Sequence, residues 1–308
     1  MKSRNLIITT CLSLGLCLCF GFTAQAQTPV PAIDSQMVKL QKQNLWRPIP
    51  LPAIEITQSK QIAQNYAFPS ISPDGHQVIL FEPGQPGEPN ILHLWTDSTH
   101  KIQKLLTDRE VSGYISWQDD QTCLMRERST PFKRNGLKRI YSLDQKKNLQ
   151  LQAKQPLSSA RITAYDADDV IILENANNQT LQAISDTRLD RYYAPIVSPD
   201  QRYVVFSGLT TGVHLFDIAQ NSVVYVGSGG TNPVFSPDGR YLIYAQTTDD
   251  GHAFTTGELI LIDLDNHSSR VIANPNHEIR LRASLSRLAK KIVYETEKGE
   301  IKIGTLVL

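Results

Sequence analysis

Phe68-Pro-Ser-Ile-Ser-Pro-Asp-Gly-His-Gln-Val-Ile-Leu80 is the stretch that decides the fold, because it occurs twice more along the chain. The later copies are Tyr193-Ala-Pro-Ile-Val-Ser-Pro-Asp-Gln-Arg-Tyr-Val-Val-Phe206 and Asn232-Pro-Val-Phe-Ser-Pro-Asp-Gly-Arg-Tyr-Leu-Ile-Tyr244. In each copy a short apolar segment precedes Ser-Pro-Asp, and a segment rich in β-branched and aromatic residues follows. Proline presets φ for a turn, aspartate accepts backbone N–H groups, and glycine tolerates positive φ. The phrase therefore predicts the same β-hairpin in three places.

Three weaker copies fill the intervals between these hairpins. They begin at Tyr114, Ile162 and Arg282, and the six copies lie 34 to 50 residues apart. A blade of four strands in a β-propeller takes roughly 40–45 residues. No stretch after residue 60 shows a sustained helical period. The pattern predicts an all-β, six-bladed propeller of four-stranded blades over residues 53–308.

The last repeat contains only three apparent strands, which would leave an open sheet edge. Upstream of the first blade, Ile54-Glu-Ile-Thr57 alternates like a β-strand. We expect this segment to pair with the last blade and close the ring. The alternative is that residues 53–67 are only a linker.

The N-terminus has the features of a secretory signal peptide over residues 1–26. Lys2 and Arg4 precede an apolar run, Leu6–Phe22, and Ala24-Gln-Ala26 is a small-residue cleavage site. An uncleaved membrane anchor is the alternative, although the apolar run is short for a span. We expect a secreted chain with no membrane span after cleavage. Residues 27–52 form a proline-rich arm, interpreted either as a mobile tail or as a partner-binding segment that uses Trp46.

Composition excludes several functional classes. Without the signal peptide the chain has 29 basic and 30 acidic residues, so its overall charge does not favour nucleic acid or an anionic membrane. One cysteine, Cys123, remains, so no intrachain disulfide is possible. We expect a monomer that needs no cofactor.

Candidate catalytic groups are few, and each has a structural explanation. Gly227-Ser-Gly-Gly230 lacks the spacing of a nucleophile elbow. The seven histidines are scattered and show no zinc-ligand spacing. Asp74, Asp200 and Asp238 occupy one position in a repeated turn, where a carboxylate accepts backbone N–H groups. We therefore predict no catalytic or metal-binding residues.

The long loops between second and third strands are the predicted binding elements. In a propeller they emerge on one face, and loops on a rigid scaffold commonly carry binding groups. The blade-two loop is basic and contains an aromatic residue, which suits an acidic partner; a solvated loop is the alternative. The candidate partner-binding residues are Glu82 and Glu88 in blade one, Arg126, Arg128, Phe132, Lys133, Arg134 and Lys138 in blade two, Asp249, Asp250 and His252 in blade five, and Trp46 in the arm.

Strand–Ser-Pro-Asp-Gly–strand repeats in a secreted chain resemble the TolB family and its relatives with the WD40-like (PD40) repeat. The matching residues are Ser72–Gly75, Ser198–Asp200 and Ser236–Gly239, with Gln201 in place of one turn glycine. The resemblance covers roughly residues 53–308 and implies a periplasmic, non-enzymatic propeller that docks other envelope proteins. TolB-like chains also carry an α/β domain before the propeller. Only about 26 residues of the mature chain precede the expected closing strand here, so that domain is not expected.

Two other functional classes remain open on the sequence. One is a metal-dependent, lactonase-like propeller hydrolase with ligands at the central mouth. The other is a propeller that binds a small ligand or glycan in its central funnel, where Trp95 and Trp117 would stack on sugars.

Overall fold

Six antiparallel sheets follow one another along the described part of the chain. The computed structural model describes residues 45–83, 91–105, 111–127, 138–143, 149–151, 162–175 and 179–308. Within these residues the regular structure is β-sheet with one short 3-10 turn at Arg287–Ala289, and no α-helix occurs. The expected all-β, six-bladed propeller is confirmed.

Blades one and two each contain four strands in sequence order. Two N-terminal strands precede them, β1 (Ile49–Pro50) and β2 (Ile56–Gln64). Blade one consists of β3 (Ala67–Ile71), β4 (Gln77–Glu82), β5 (Ile91–Thr96) and β6 (Lys101–Lys104). Blade two consists of β7 (Val111–Trp117), β8 (Thr122–Glu127), β9 (Lys138–Leu143) and β10 (Leu149–Leu151).

Blade three differs from the prediction in the position of its strands. The described strands are β11 (Ile162–Ala167), β12 (Val170–Asn175) and β13 (Thr180–Ala183), and the sequence predicted β11 as the inner strand. However, the Asp169 carbonyl accepts the N–H of Tyr192, at 3.0 Å, where the inner strand of blade four begins. The β11–β12 turn therefore lies at the opposite end of the ring from the repeated turns. The three strands take the second to fourth positions, and the position of an inner strand lies outside the described residues.

Blades four, five and six follow the predicted order of strands. Blade four contains β14 (Tyr192–Val197), β15 (Tyr203–Gly208), β16 (Gly212–Asp217) and β17 (Ser222–Gly227). Blade five contains β18 (Gly230–Phe235), β19 (Tyr241–Asp249), β20 (Phe254–Asp263) and β21 (Ser268–Val271). Blade six contains β22 (Arg280–Leu285), β23 (Lys291–Thr296) and β24 (Glu300–Leu306).

The Ser-Pro-Asp turns repeat one hydrogen-bond network. In blade four, Ser198 Oγ donates to Asp200 Oδ1 (2.6 Å) and accepts the N–H of Tyr203 (2.9 Å). The equivalent bonds occur in the turns at Ser72 and Ser236. Gln201 takes the left-handed conformation of the turn glycine, with φ of 60°, despite its side chain. The structural role predicted for the turn aspartates is confirmed.

An N-terminal strand closes the ring on the last blade, as predicted, but its bounds differ from those of the predicted segment. β2 pairs antiparallel with β24 as the outermost strand of blade six, from Ile56 opposite Leu306 to Gln64 opposite Glu300. Ile54 instead forms a parallel bridge with Ile272 of blade five. The strand therefore begins two residues later than predicted and is nine residues long. The alternation over 54–57 located the closing strand only approximately, because a lone strand carries no turn to fix its register.

The residues before β2 follow the outside of blades four and five. We call residues 45–55 the peripheral segment. The Trp46 N–H donates to the Val224 carbonyl on β17 (2.7 Å), and β1 pairs parallel with β21 as a fifth strand of blade five. The end of the predicted arm is thus part of the propeller surface, and residues 27–44 lie outside the described residues.

The core lies between neighbouring blades. Ile171 and Leu173 of blade three, for example, pack in one buried cluster with Val204 and Phe206 of blade four. Burying an aliphatic or aromatic side chain of this size contributes about 1.5–3 kcal/mol. Such packing between sheets holds the ring rigid and fixes the loops at its two ends.

Candidate functional site

The two ends of the ring carry different connections. We call the end with the Ser-Pro-Asp turns and the third-to-fourth-strand turns the turn face. We call the other end, with the second-to-third-strand loops and the connections between blades, the loop face. The predicted binding loops all belong to the loop face. Of their residues, Glu88, Arg128, Phe132, Lys133 and Arg134 lie outside the described residues.

Three predicted residues of blades one and two lie at the base of these loops. Arg126 and Lys138 are opposite each other across β8 and β9, where the blade-two loop begins and ends. Glu82, at the end of β4, is exposed, and its Oε2 lies 2.8 Å from His93 Nε2 on the neighbouring strand. The structure therefore places all three at the loop face, as the strand order required.

The blade-five loop is a β-hairpin that extends beyond its neighbours. β19 and β20 pair with each other from Tyr241 and Asp263 as far as Asp249 and Phe254. Pairing of β18 with β19 ends at Gln246, so the last turn of the hairpin projects from the loop face. The aromatic ring of Phe254 is exposed at its tip, with 42% of the residue accessible.

Asp249, Asp250 and His252 lie together at this tip. Asp250 Oδ1 accepts the N–H groups of His252 and Ala253, both at 2.9 Å, and Asp249 Oδ1 accepts the N–H of Gly251 at 3.0 Å. These backbone hydrogen bonds lower the pKa of Asp250. The two carboxylates therefore fix the turn, and they also make the tip acidic.

The most distinctive feature of the loop face was not predicted. Leu189, in the connection from blade three to blade four, is 53% exposed, and Leu209, in the β15–β16 turn, is 60% exposed. The Leu209 N–H donates to the Arg191 carbonyl (2.9 Å), which brings the two turns together. Tyr193, at the beginning of the inner strand β14, which follows the first of these turns, is 44% exposed. We call these three side chains the leucine platform.

A buried carboxylate holds each leucine turn. Asp186 is 1% exposed; its Oδ1 accepts the Arg188 N–H (3.0 Å), and both its oxygens accept the Arg188 guanidinium, at 2.7 to 3.2 Å. The Leu189 N–H donates to the Asp186 carbonyl (2.9 Å). The hydrogen bonds from Arg188 lower the pKa of Asp186, so this carboxylate stays ionised. The turn that carries Leu189 is therefore fixed from beneath.

The second carboxylate, Asp190, holds the turn that carries Leu209. Asp190 Oδ2 accepts the N–H groups of Thr210 (2.9 Å) and Thr211 (2.8 Å) and the hydroxyl of Thr211 (2.6 Å). Its Oδ1 accepts the N–H of Arg191 (2.8 Å). Burial alone would raise the pKa of Asp190, but these hydrogen bonds lower it to about 2. Its charge is therefore present at all physiological pH values.

His214 completes this network beneath the platform. Its Nε2 lies 2.7 Å from Thr211 Oγ1, and its ring stacks on Phe206 with the centroids 5.3 Å apart. Because Thr211 gives its hydroxyl proton to Asp190, a neutral histidine protonated at Nε2 satisfies the pair. Burial lowers the pKa of His214 to about 4, with the charge of Asp190 opposing the shift. His214 therefore supports the turn that carries Leu209.

Sequence reasoning missed the platform because both turns are short. It considered only long loops, whereas the leucines occur in Ser185-Asp-Thr-Arg-Leu-Asp190 and Gly208-Leu-Thr-Thr-Gly212. The available signal was a leucine surrounded by turn-forming residues. Because its neighbours in sequence are polar, such a leucine is not part of an apolar strand and is expected to be exposed.

Trp46 does not lie on the loop face with the other candidates. Its ring packs on His267 (centroids 4.2 Å apart) and near Tyr225 (5.7 Å). Tyr225 in turn contacts Tyr244, with the two hydroxyl oxygens 2.7 Å apart. Added Cβ atoms at Gly227 and Gly230 would lie 2.9 and 2.8 Å from the Tyr244 ring. The glycines of Gly227–Gly230 therefore accommodate this aromatic ring.

The centre of the ring contains a small cavity of about 40 Å³ that is partly open to solvent. Arg282 lines it, with the guanidinium 4.1 Å from the centroid of Phe68 and an ion pair of 2.8 Å to Glu295. Glu295 also accepts the Phe68 N–H (3.0 Å). These contacts join blade six to blade one, so the charged groups here contribute to closure of the ring.

The structure also bears on the residues that a glycan-binding funnel or a metal-dependent hydrolase would use. Trp95 and Trp117 are 1% and 7% exposed, and Trp117 Nε1 donates to the Ser70 carbonyl at 3.3 Å. Both rings pack between neighbouring blades, Trp95 against blade six and Trp117 against blade one. In the described part of the chain, no group of three His, Cys, Asp or Glu side chains is placed to hold a metal ion. Nor does this part contain a helix long and apolar enough to cross a membrane.

Comparisons with known proteins concern the fold. No protein-family model and no curated protein matches the chain. One solved structure, described as "putative TolB from Agrobacterium tumefaciens", is similar to it with a TM-score of 0.45 and 14% sequence identity, over 80% of this chain and 91% of that chain. The six-bladed propeller expected from the repeats is confirmed by the six blades themselves.

Proposed function

We propose that this protein is a non-enzymatic binding scaffold of the periplasm, which captures another protein of the cell envelope on its loop face. The signal-peptide features of residues 1–26 and the resemblance of the repeats support the compartment. Capture on a rigid ring needs no movement of the scaffold, so little conformational entropy is lost on binding.

The leucine platform is the observation that carries this proposal. Single exposed leucines are ordinary on protein surfaces. Here two of them are the tips of neighbouring turns, and each turn is fixed by a buried, ionised aspartate. Burying a charge is unfavourable unless it is fully hydrogen-bonded. A protein that maintains two such carboxylates beneath two exposed apolar side chains has the rigid, preorganised anchors that dominate binding energy at interfaces.

The blade-five hairpin supplies a second contact of different character. Its tip combines exposed Phe254 with the carboxylates of Asp249 and Asp250. The platform and hairpin belong to adjacent blades on one face, so one partner can contact both. Apolar anchors with a polar rim are the usual composition of such interfaces. The basic blade-two loop, residues 127–138, is the proposed third element.

Crosslinking in intact cells, followed by mass spectrometry of captured proteins, tests the platform. We expect the double variant Leu189→Ser/Leu209→Ser to lose at least about 90% of the capture of a specific envelope protein, as expected when central anchors are truncated. Thermal unfolding should be nearly unchanged, because both side chains are already exposed. Deletion of residues 127–138 should weaken capture of the same protein.

Leu181 provides a matched control. It is 45% exposed on the outer strand β13 and is not part of the platform. Leu181→Ser should leave capture intact. If the double variant captures its partner as well as the unaltered protein does, or if Leu181→Ser weakens capture equally, the proposed binding face is wrong.

A further inference from the structure

The turn face divides into sectors of opposite charge. The turns of blades four and five carry five carboxylates against the two guanidinium groups of Arg202 and Arg240. Asp265 is the most accessible of these carboxylates, with 46% of its side chain exposed. The five acidic residues are Asp200, Asp217, Asp238, Asp263 and Asp265.

The turns of blades six and one form the opposite sector. Five basic groups meet there, and three carboxylates oppose them, those of Asp74, Asp97 and the exposed Glu55 directly before the closing strand. Asp97 accepts from Lys291 (3.3 Å) and from Lys60 of the closing strand (3.4 Å), which leaves a surplus of positive charge. The five basic residues are Lys60, Lys101, Arg287, Lys290 and Lys291.

An apolar patch lies between the two sectors, where blade five meets blade six. A groove open to solvent lies there, and its apolar side is formed by Ile49, Leu51, Leu261 and Leu308 together with the ring of Tyr241. Its polar side, toward the acidic sector, is formed by Arg240, Asp263, Asn266, Ser268 and Arg270. Ile49 is 61% exposed and Leu51 is 37% exposed. These residues come from the peripheral segment and from both blades, so the patch exists only in the closed ring.

Two further apolar side chains extend the patch toward the basic sector. Val307, beside the groove, is 57% exposed, and its N–H donates to the backbone carbonyl of Glu55 in the peripheral segment. Leu288, at the end of the blade-six turn, is 46% exposed. Leu288 is held with a φ of 57°, a left-handed conformation that is rare for leucine, and its N–H donates to Asp238 Oδ2 of blade five (2.9 Å). The exposed side chain is therefore fixed in place.

We propose that the turn face binds the turn face of a second copy of this chain. The order acidic, apolar, basic is self-complementary: a two-fold axis through the apolar patch brings the acidic sector of each copy against the basic sector of the other. Such an isologous contact satisfies both charge sectors at once and covers the apolar patch with its own copy. The sequence pattern offered no reason to expect more than a monomer, because the sectors come together only in the folded ring.

Engineered cysteines test whether the two copies are related by the proposed two-fold axis. Residues near a two-fold axis face their own copies, so Val307→Cys should form a disulfide dimer under mild oxidation. The resident Cys123 is buried, and burial raises the pKa of its thiol to about 12, so it does not compete. Leu209→Cys, equally exposed but on the loop face, is the matched control and should stay monomeric. A dimer only from Leu209→Cys, or from neither variant, would overturn the proposal.

A charge test separates a second copy from any other occupant of the patch. Val307→Asp and Val307→Lys should each weaken self-association by at least about ten-fold, because either charge meets its own copy near the axis. Sedimentation equilibrium over a range of concentrations measures the change. A concentration-independent monomer mass for the unaltered protein would contradict the proposal. So would an association strengthened by one of the two charges, since that outcome indicates a patch occupied by a different, charged surface.

Discussion

The two faces of this propeller are built in different ways from the same strands. The turn face is made of repeats: Ser72, Ser198 and Ser236 each donate to the aspartate two residues later and accept the N–H five residues later. The described residues of the loop face show no such repetition. Its blade-five hairpin and the two leucine turns of blades three and four are each held by a different set of contacts. Repetition therefore builds the ring, and irregular loops distinguish this chain from other propellers.

The consequence of this difference is energetic. A repeated turn can lose one hydrogen bond while its equivalents remain. Beneath the leucine platform, in contrast, a single carboxylate, that of Asp190, accepts the N–H groups of Thr210, Thr211 and Arg191. The comparison predicts that single substitutions cost more beneath the loop face than in the repeated turns.

The largest effect is expected for Asp190→Ala. It leaves three backbone N–H groups and the Thr211 hydroxyl without their acceptor in a site where Asp190 is only 8% exposed. Unsatisfied buried groups cost about 1–3 kcal/mol each, with partial recovery through water, so we expect a loss of about 3 kcal/mol. Urea unfolding measures it. Asp200→Ala, in the repeated turn of the same blade, should cost about 1 kcal/mol. Equal losses of stability in the two variants would contradict the predicted difference between the two faces.

An intermediate effect is expected from the pH dependence of His214. Its pKa is about 6.5 in the unfolded chain and about 4 in the folded protein. Between these values the unfolded chain binds a proton that the folded protein does not, so stability falls as the pH is lowered. His214 alone changes the free energy of unfolding by about 1.4 kcal/mol per pH unit in this window, since the two states differ there by one bound proton.

Urea titrations at pH 4.5, 5.5 and 6.5 check this slope. His214→Leu should be less dependent on pH than the unaltered protein by about one proton over that range. His76→Leu is the matched control, because it removes an exposed histidine of the turn face and leaves the buried network around Asp190 intact. Asp190 does not complicate the window, because its pKa of about 2 restricts its contribution to lower pH. A steeper slope in His214→Leu would contradict the assignment of a neutral, buried imidazole.

The smallest effect is expected for Ser236→Ala in a repeated turn. Ser236 is fully buried; it donates to Asp238 and accepts the Tyr241 N–H at 3.0 Å. Loss of these bonds should cost about 1 kcal/mol. Ser72→Ala and Ser198→Ala should cost similar amounts, because their geometry is the same, and thermal unfolding of the three variants makes the comparison. A much larger loss at one position would show that the turns are not equivalent.

Much of the fold could be predicted from the sequence, because the turn chemistry is local. Ser-Pro-Asp fixes a hairpin within about ten residues, and three clear copies fix the blade spacing. Of the three copies without this chemistry, one was assigned to the wrong position in its blade. The copy at Ile162 has acids but no Ser-Pro, and its two described strands are one position further out in the blade than predicted. The closing strand was likewise displaced, because nothing in 54–57 fixes its partner.

The candidate site could be predicted only in part. The hairpin tip with Asp249, Asp250 and His252 was found because a long polar loop between two strands is visible in the sequence. The leucine platform was not found, since it depends on two separate turns that come together through the bond from the Leu209 N–H to the Arg191 carbonyl. Trp46 looked like a free aromatic residue in an arm, but the fold supplies His267 and Tyr225 as its packing partners.

The sequence alone determined the class of fold, the number of blades and the face that carries the long loops. These follow from local turn chemistry and from the alternation of strands, which act within one hairpin. Only the tertiary structure decided the bounds and register of the strand that closes the ring, where the peripheral segment lies, and which exposed side chains share a surface. These depend on contacts between blades that are far apart in the chain, and no local pattern encodes them.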